Sequence, residues 1–219
     1  MARVAVLGGS FNPIHYGHLL LADEVLELLG LDRLLFVPAA APPHKPAAQL
    51  APAADRFEMV RLAIAGQPRF AVSDLELRRA GPSYTVDTLQ ELAASGDALS
   101  LVIGSETFLD LLSWREPRRV AGLARLVVIP RAGSAFDPES AAAQKVLREI
   151  GGTPGGFVHA GAGAALPPGG VVIVHATSLP LSASELRRRV REGRSLAFRL
   201  PPAVIDYVRA HGLYRTEPA

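Results

Sequence analysis

Two histidines three positions apart, His15 and His18, close the string GGSFNPIHYGH (Gly8 to His18), which also holds three glycines. An imidazole can donate a hydrogen bond to a phosphoryl oxygen, and a protonated one also offsets negative charge growing there in a transition state. Glycines let backbone N–H groups come close to an anion, and a helix opening at His18 adds its positive end. These residue types suit transfer between phosphates. Attack by one phosphate on another needs little proton transfer, so positioning and charge stabilisation carry the rate. The string matches neither G-x-G-x-x-G nor G-x-x-x-x-G-K-[ST], so the usual dinucleotide and P-loop fingerprints are absent. Two other readings stay open. One is a metal site, which zinc would build with further ligands although the chain has no cysteine; the other is a pair that only satisfies loop backbone groups.

The elements that must hold these residues alternate along the chain. Arg3 to Leu7 (RVAVL) predicts a buried strand, and HLLLADEVLELLG predicts a helix closed at Gly30. Strands are predicted at Arg33 to Val37, Phe70 to Leu77, Leu99 to Ile103, Arg125 to Ile129 and Val171 to Val174. Helices are predicted at Asp55 to Ala65, Thr85 to Ala94, Pro138 to Ile150, Ser184 to Glu192 and Pro202 to Ala210. This pattern implies an α/β fold with a doubly wound, mostly parallel sheet, in one domain over residues 1–219 with a small helical portion at 182–214. Ala132 to Gly170, rich in Ala, Gly and Pro, is expected to form a peripheral excursion, mobile at Gly151 to Gly156 and Gly161 to Gly170.

Composition narrows the class. With 219 residues, 49% apolar and 20% charged, the chain can bury a substantial core, and no apolar run approaches the length of a membrane span. Without cysteine, neither a disulfide framework nor a thiolate metal site can form. MARVAVLGG is too short in its apolar part for a secretory signal, so a cytoplasmic location is expected. A formal charge of +2 gives no reason to expect nucleic acid or a membrane as partner. Homo-oligomerisation is left open.

GGSFNPIHYGH resembles the signature of the nucleotidylyltransferase superfamily, whose H-x-G-H element is His15-Tyr16-Gly17-His18 here. Further segments from residue 3 to Tyr214 resemble the bacterial nicotinate-nucleotide adenylyltransferases, with Ala132 to Gly170 unmatched. The resemblance implies a Rossmann-like nucleotidylyltransferase fold. It also implies an enzyme that joins nicotinate mononucleotide to the AMP part of ATP, with Mg2+ bound through the ATP phosphates.

By the same resemblance His15 and His18 are catalytic, and Gly8, Gly9, Ser10 and Phe11 contact ATP with them. FVPAAAPPHK is similar to the family's proline-rich loop, which implies Lys45 beside the mononucleotide. PSYTVDTL resembles its S-Y-T-x-x-T-L element, which implies that Tyr84 and Thr85 hold the pyridine carboxylate, Thr85 capping the following helix. LVIGSETFLDLLSW resembles its strand, G-x-D and tryptophan, implying Gly104 and Glu106 on ATP and Trp114 on the nicotinate ring. Glu106 stands where the family has aspartate. Arg131 matches an arginine near the mononucleotide, and LSASELR resembles the I-S-S-T-x-I-R element, implying Ser182, Ser184 and Arg187 on the outer phosphates. Arg188, Arg189, Arg191 and Arg194 are expected on a solvated helix face. PPAVIDYVRAHGLY is similar to the family's C-terminal tail.

Blander readings remain beside these: a solvent loop around Lys45, a capping Thr85 without ligand, a core Trp114 and an exposed strand-end Arg131. For the whole chain the alternatives are an adenylyltransferase acting on nicotinamide mononucleotide, a pantetheine phosphate or a flavin phosphate; a dinucleotide-binding dehydrogenase; and a nucleotide-binding regulator without turnover.

Overall fold

The computed structural model describes residues 1–130, 136–152, 156–160 and 170–215. Among the described residues seven strands form one sheet: β1 (Arg3–Gly9), β2 (Arg33–Pro38), β3 (Phe70–Val72), β4 (Ala98–Gly104), β5 (Arg125–Ile129), β6 (Phe157–His159) and β7 (Val171–Ile173). Their order is β3-β2-β1-β4-β5-β7-β6. The pairings run parallel, with Val4 opposite Leu99, Leu101 opposite Leu126, Val127 opposite Val172 and Phe157 opposite Val171. Such strands are covered on both faces, and runs like Val4-Ala5-Val6 and Leu126-Val127-Val128 are accordingly apolar at every position and buried. Strand order reverses between β1 and β4, whose carboxyl ends carry Gly8 and Gly104; this is where open α/β sheets leave a crevice.

The helices are α1 (Tyr16–Leu29), α2 (Ala53–Ala63), α3 (Leu75–Arg78), α4 (Thr85–Ala93), α5 (Ser105–Leu109), α6 (Pro117–Leu123), α7 (Ala141–Glu149), α8 (Ala183–Arg191) and α9 (Pro202–Ala210). α1 stops where Gly30 takes φ +57°: its N–H bonds Glu27 O at 3.2 Å, and the Leu31 N–H reaches back to Leu26 O at 3.0 Å. Among the described residues no helix is long and apolar enough to cross a membrane.

Residues group into two compact units. The first takes Met1–Gly8, Ala22–Leu34 and Tyr84–Ser178. Its core holds Val25, Leu26, Val86, Leu89, Val102 and Val127, closed by three phenylalanines: Phe108, Phe136 and Phe157 meet edge to face at 5.6–6.3 Å. Residues 136–160 therefore do not lie apart as a peripheral excursion where they are described. α7 buries Ala143, Val146 and Leu147, and β6 extends the sheet. Most of the expected mobile stretches, 153–155 and 161–169, lie outside the described residues.

The second unit takes Gly9–Leu21, Leu35–Ser83 and the chain from Leu179 onward. α2 packs on α9, and the Tyr207 hydroxyl donates to Asp55 Oδ1 at 2.8 Å. Phe11, Phe36 and Phe70 form a chain of edge-on rings, 5.7 and 5.4 Å apart, and Met59 and Val60 are buried in the same unit. The predicted strand at Phe70 to Leu77 is shorter, because the chain turns at Ser73 and Asp74 into α3; Ser73 Oγ accepts the Leu75 N–H at 3.3 Å.

Candidate active site

The β1–α1 loop folds back on itself. Phe11 adopts φ +43° and lays its ring over Gly9, where an added Cβ would come within 3.1 Å of it. The ring is buried and edge-on to His18 at 5.2 Å. The Phe11 side chain thus belongs to the core, and only its backbone is available to a ligand.

His15 and His18 stack, centroids 3.8 Å apart and 25° between planes. Gly17 makes this approach feasible, since a Cβ there would sit 3.0 Å from His15 Nδ1. The His15 backbone N–H donates to His18 Nδ1 at 3.3 Å. Nδ1 must then be the unprotonated nitrogen, and in the neutral ring the proton sits on Nε2 as a donor.

Burial lowers His15 from 6.5 to about 4, and lowers His18 well below 6.5, with His15 and Lys45 adding repulsion. Near neutrality both rings are uncharged. A histidine lowered on folding is protonated in the unfolded chain between about pH 4 and 6.5 while the folded one is not, so its stabilisation is complete above 6.5 and lost as pH falls. Across that window His15, only 7% exposed, accounts for about 3 kcal/mol. Urea unfolding at pH 7 and pH 4.5 is expected to show a smaller acid destabilisation in His15→Asn than in the parent. Equal pH dependence in the two proteins would contradict the assigned shift.

Cations gather around the loop. Lys45 Nζ donates to Ser10 Oγ at 2.9 Å, and Arg187 Nη1 donates to Asn12 O at 2.9 Å. Arg56, 1% exposed, donates to the carbonyls of Ser10, Ala39, Ala40 and Ala51. No carboxylate is among these partners. Burial lowers Lys45, and the charges of Arg187 and Arg56 lower it further. A cluster of this kind presents a positive potential suited to a polyanion. Among the described residues the buried Tyr214 hydroxyl has no hydrogen-bond partner, and burial raises it. Asn12 spends its amide on the loop opposite, donating to Gln49 O at 2.9 Å and accepting from Ala51 N at 3.0 Å.

At α8 Ser182 is the N-cap, its Oγ accepting the Glu185 N–H at 3.3 Å and lying 3.3 Å from Ser184 Oγ. The solvated face is corrected at one position. Arg189 is buried and donates Nε to Ser195 O at 2.8 Å, because it follows Leu186 on the inward side of the helix. Arg188 and Arg194 are exposed and paired with Glu185 and Glu192.

In the first unit, Gly8 is exposed, and among the described residues nothing lies within 4 Å of where its Cβ would be. Gly104 is the N-cap of α5, and Glu106 is exposed in its first turn. Thr85 does not cap α4. It is the first helical residue, Tyr84 is the N-cap, and no side chain caps the helix. The Arg115 guanidinium lies 5.0 Å over the Tyr84 ring and 3.5 Å from Asp87 Oδ2, joining the start of α4 to the segment carrying half-buried Trp114. Arg131 lies outside the described residues.

The structure therefore brings Gly9, Ser10, His15, His18, Lys45 and Arg187 together in one unit, and Tyr84, Thr85 and Trp114 in the other. Asn12, Arg56 and Arg115 are additions that motif reading missed. Asn12 stood within the opening string; Arg56 announces itself only by sharing the buried stripe of α2 with Met59 and Val60.

The chain matches the cytidylyltransferase-like family model over residues 6–189, which, with this sheet and the H-x-G-H loop, defines a nucleotidylyltransferase. It is 41% identical over 216 residues to a probable nicotinate-nucleotide adenylyltransferase of Roseiflexus sp. (strain RS-1), covering 98% of both. It is 42% identical over 215 residues to one from Thermus thermophilus, covering 97% of this chain and 100% of that protein. The chain belongs to the nicotinate-nucleotide adenylyltransferase family. Its fold is shared with Plasmodium falciparum nicotinic acid mononucleotide adenylyltransferase complexed with NaAD, at TM-score 0.73, 19% identity and 98% of each chain.

Proposed function

We infer that this enzyme joins nicotinate mononucleotide to the AMP part of ATP, giving nicotinate adenine dinucleotide and pyrophosphate. The observation that carries the reading is a neutral imidazole pair in one loop with Ser10, where Lys45 bonds the Ser10 hydroxyl and Arg187 the Asn12 carbonyl. ATP lies along the backbone of Gly8, Gly9, Ser10 and Phe11, with Gly104 and Glu106 on its nucleoside side. Its outer phosphates rest on Ser182, Ser184 and Arg187. Lys45, Tyr84, Thr85, Trp114 and Arg131 hold the mononucleotide, the uncapped start of α4 receiving the pyridine carboxylate.

A phosphate oxygen of the mononucleotide attacks the α-phosphorus in line. The new P–O bond forms as the bond from the α-phosphorus to the bridging oxygen breaks, pyrophosphate leaves with the electron pair, and no covalent enzyme intermediate arises. His18 donates its Nε2–H to an α-phosphate oxygen as charge accumulates there, and His15 keeps that ring in place. Among the described residues no group of three His, Cys, Asp or Glu side chains could hold a metal. The donor set around Ser10 is cationic, so magnesium enters as the MgATP substrate and offsets phosphate charge. Reaction between dissolved nucleotides suits a cytoplasmic enzyme.

Pyrophosphate release over a substrate panel tests the reading. Nicotinate mononucleotide is expected to give kcat/KM at least about tenfold above nicotinamide mononucleotide, since N–H groups placed for a carboxylate lose their charged partner in the amide. Flavin and pantetheine phosphates are expected to be inert. Preferred turnover of any of these, or hydride transfer with a bound dinucleotide, would contradict it.

A further inference from the structure

We propose that Arg56 is a positioning residue of the transfer reaction: its buried guanidinium holds the Ser10 loop and the Lys45 loop in the one register that lets Ser10 and Lys45 act together. This rests on the reading that those two residues face the phosphates. A buried arginine ordinarily meets a carboxylate. Here the fork is spent on main-chain carbonyls from separate loops: Nη1 reaches Ser10 O at 2.9 Å and Ala39 O at 2.6 Å, Nη2 reaches Ala40 O at 3.2 Å, and Nε reaches Ala51 O at 2.9 Å.

Ala39 and Ala40 begin the segment whose turn, closed by the Lys45 N–H on Pro42 O at 3.2 Å, delivers Lys45. Lys45 Nζ then meets Ser10 Oγ at 2.9 Å, the residue whose carbonyl Arg56 also holds. One planar group with donors along two edges can serve these directions at once; an ammonium cannot. The Arg56 charge also adds to the repulsion that lowers Lys45. Such an arrangement fixes relative placement, on which in-line transfer depends steeply.

The test is a double-mutant cycle with Arg56→Lys and Lys45→Ala, reading kcat, KM for ATP and thermal unfolding. Arg56→Lys is expected to unfold cooperatively and to lose about 30-fold or more in kcat, with KM for ATP changed by less than about threefold. In the Lys45→Ala background the same change is expected to cost less than about threefold further. Arg56→Gln serves as the second variant. Multiplying losses in the cycle overturn the proposal alone, as do losses that follow only the folded fraction. Failure of both Arg56 variants to fold also overturns it, since the residue would then determine folding rather than alignment. Unchanged turnover in Lys45→Ala overturns the reading of the site and this proposal with it.

Discussion

His18→Ala is expected to lower kcat by about 10²-fold or more, the scale for losing one preorganised donor at a developing oxyanion. The structure sharpens that expectation. His18 presents a neutral ring whose Nδ1 is already used by the His15 N–H, so its contribution is a directed Nε2–H bond rather than a full charge. Two consequences follow for steady-state kinetics. His18→Gln, which can place an amide N–H near the Nε2 position, should recover part of the loss. The parent's kcat should show no imidazole-dependent fall between pH 6.5 and 8, because the ring is already deprotonated there; an imidazolium mechanism would fall through that range. Unchanged turnover in His18→Ala removes this residue from the mechanism.

Arg187→Ala is expected to weaken ATP and pyrophosphate binding by about 10- to 100-fold while leaving affinity for nicotinate mononucleotide within about threefold. One N–H of the guanidinium anchors it to Asn12 O, inside the histidine loop. That bond orients the fork, and the same guanidinium can grip two phosphoryl oxygens. Removal therefore deletes a phosphate ligand together with a tie between α8 and the loop. Titration calorimetry of each nucleotide separates the effects. Intact ATP binding in the variant would refute the assignment, and a matching loss for the mononucleotide would show that the loop as a whole had moved.

What was legible in the sequence follows from the range of the interactions. β5, α9 and the course of β1 and β2 were read almost residue for residue, because apolar runs and helical spacing are local signals. β6 was not, since Phe157–His159 is three residues among glycines and acquires its identity only from parallel pairing with β7. At the site, the opening string carries the chemistry, while the reason for its composition lies in how the loop folds back on itself. Gly17 leaves room for the His15 ring, Phe11 is a core residue, and Asn12 clamps the loop around Ala51. Arg56 was silent for the same reason: the hydrogen bonds it donates end on main-chain carbonyls, which sequence does not distinguish. Tyr84 rather than Thr85 takes the N-cap because its backbone is extended at φ −91°, ψ 129° and carries no side-chain bond to betray it.

A crystal structure with a non-hydrolysable ATP analogue bears most directly on the mechanism. His18 Nε2 is expected to lie about 3 Å from an α-phosphate oxygen while Arg187 contacts the β- or γ-phosphate of the same molecule. A triphosphate that reaches only one of the two, or lies away from both, would contradict it.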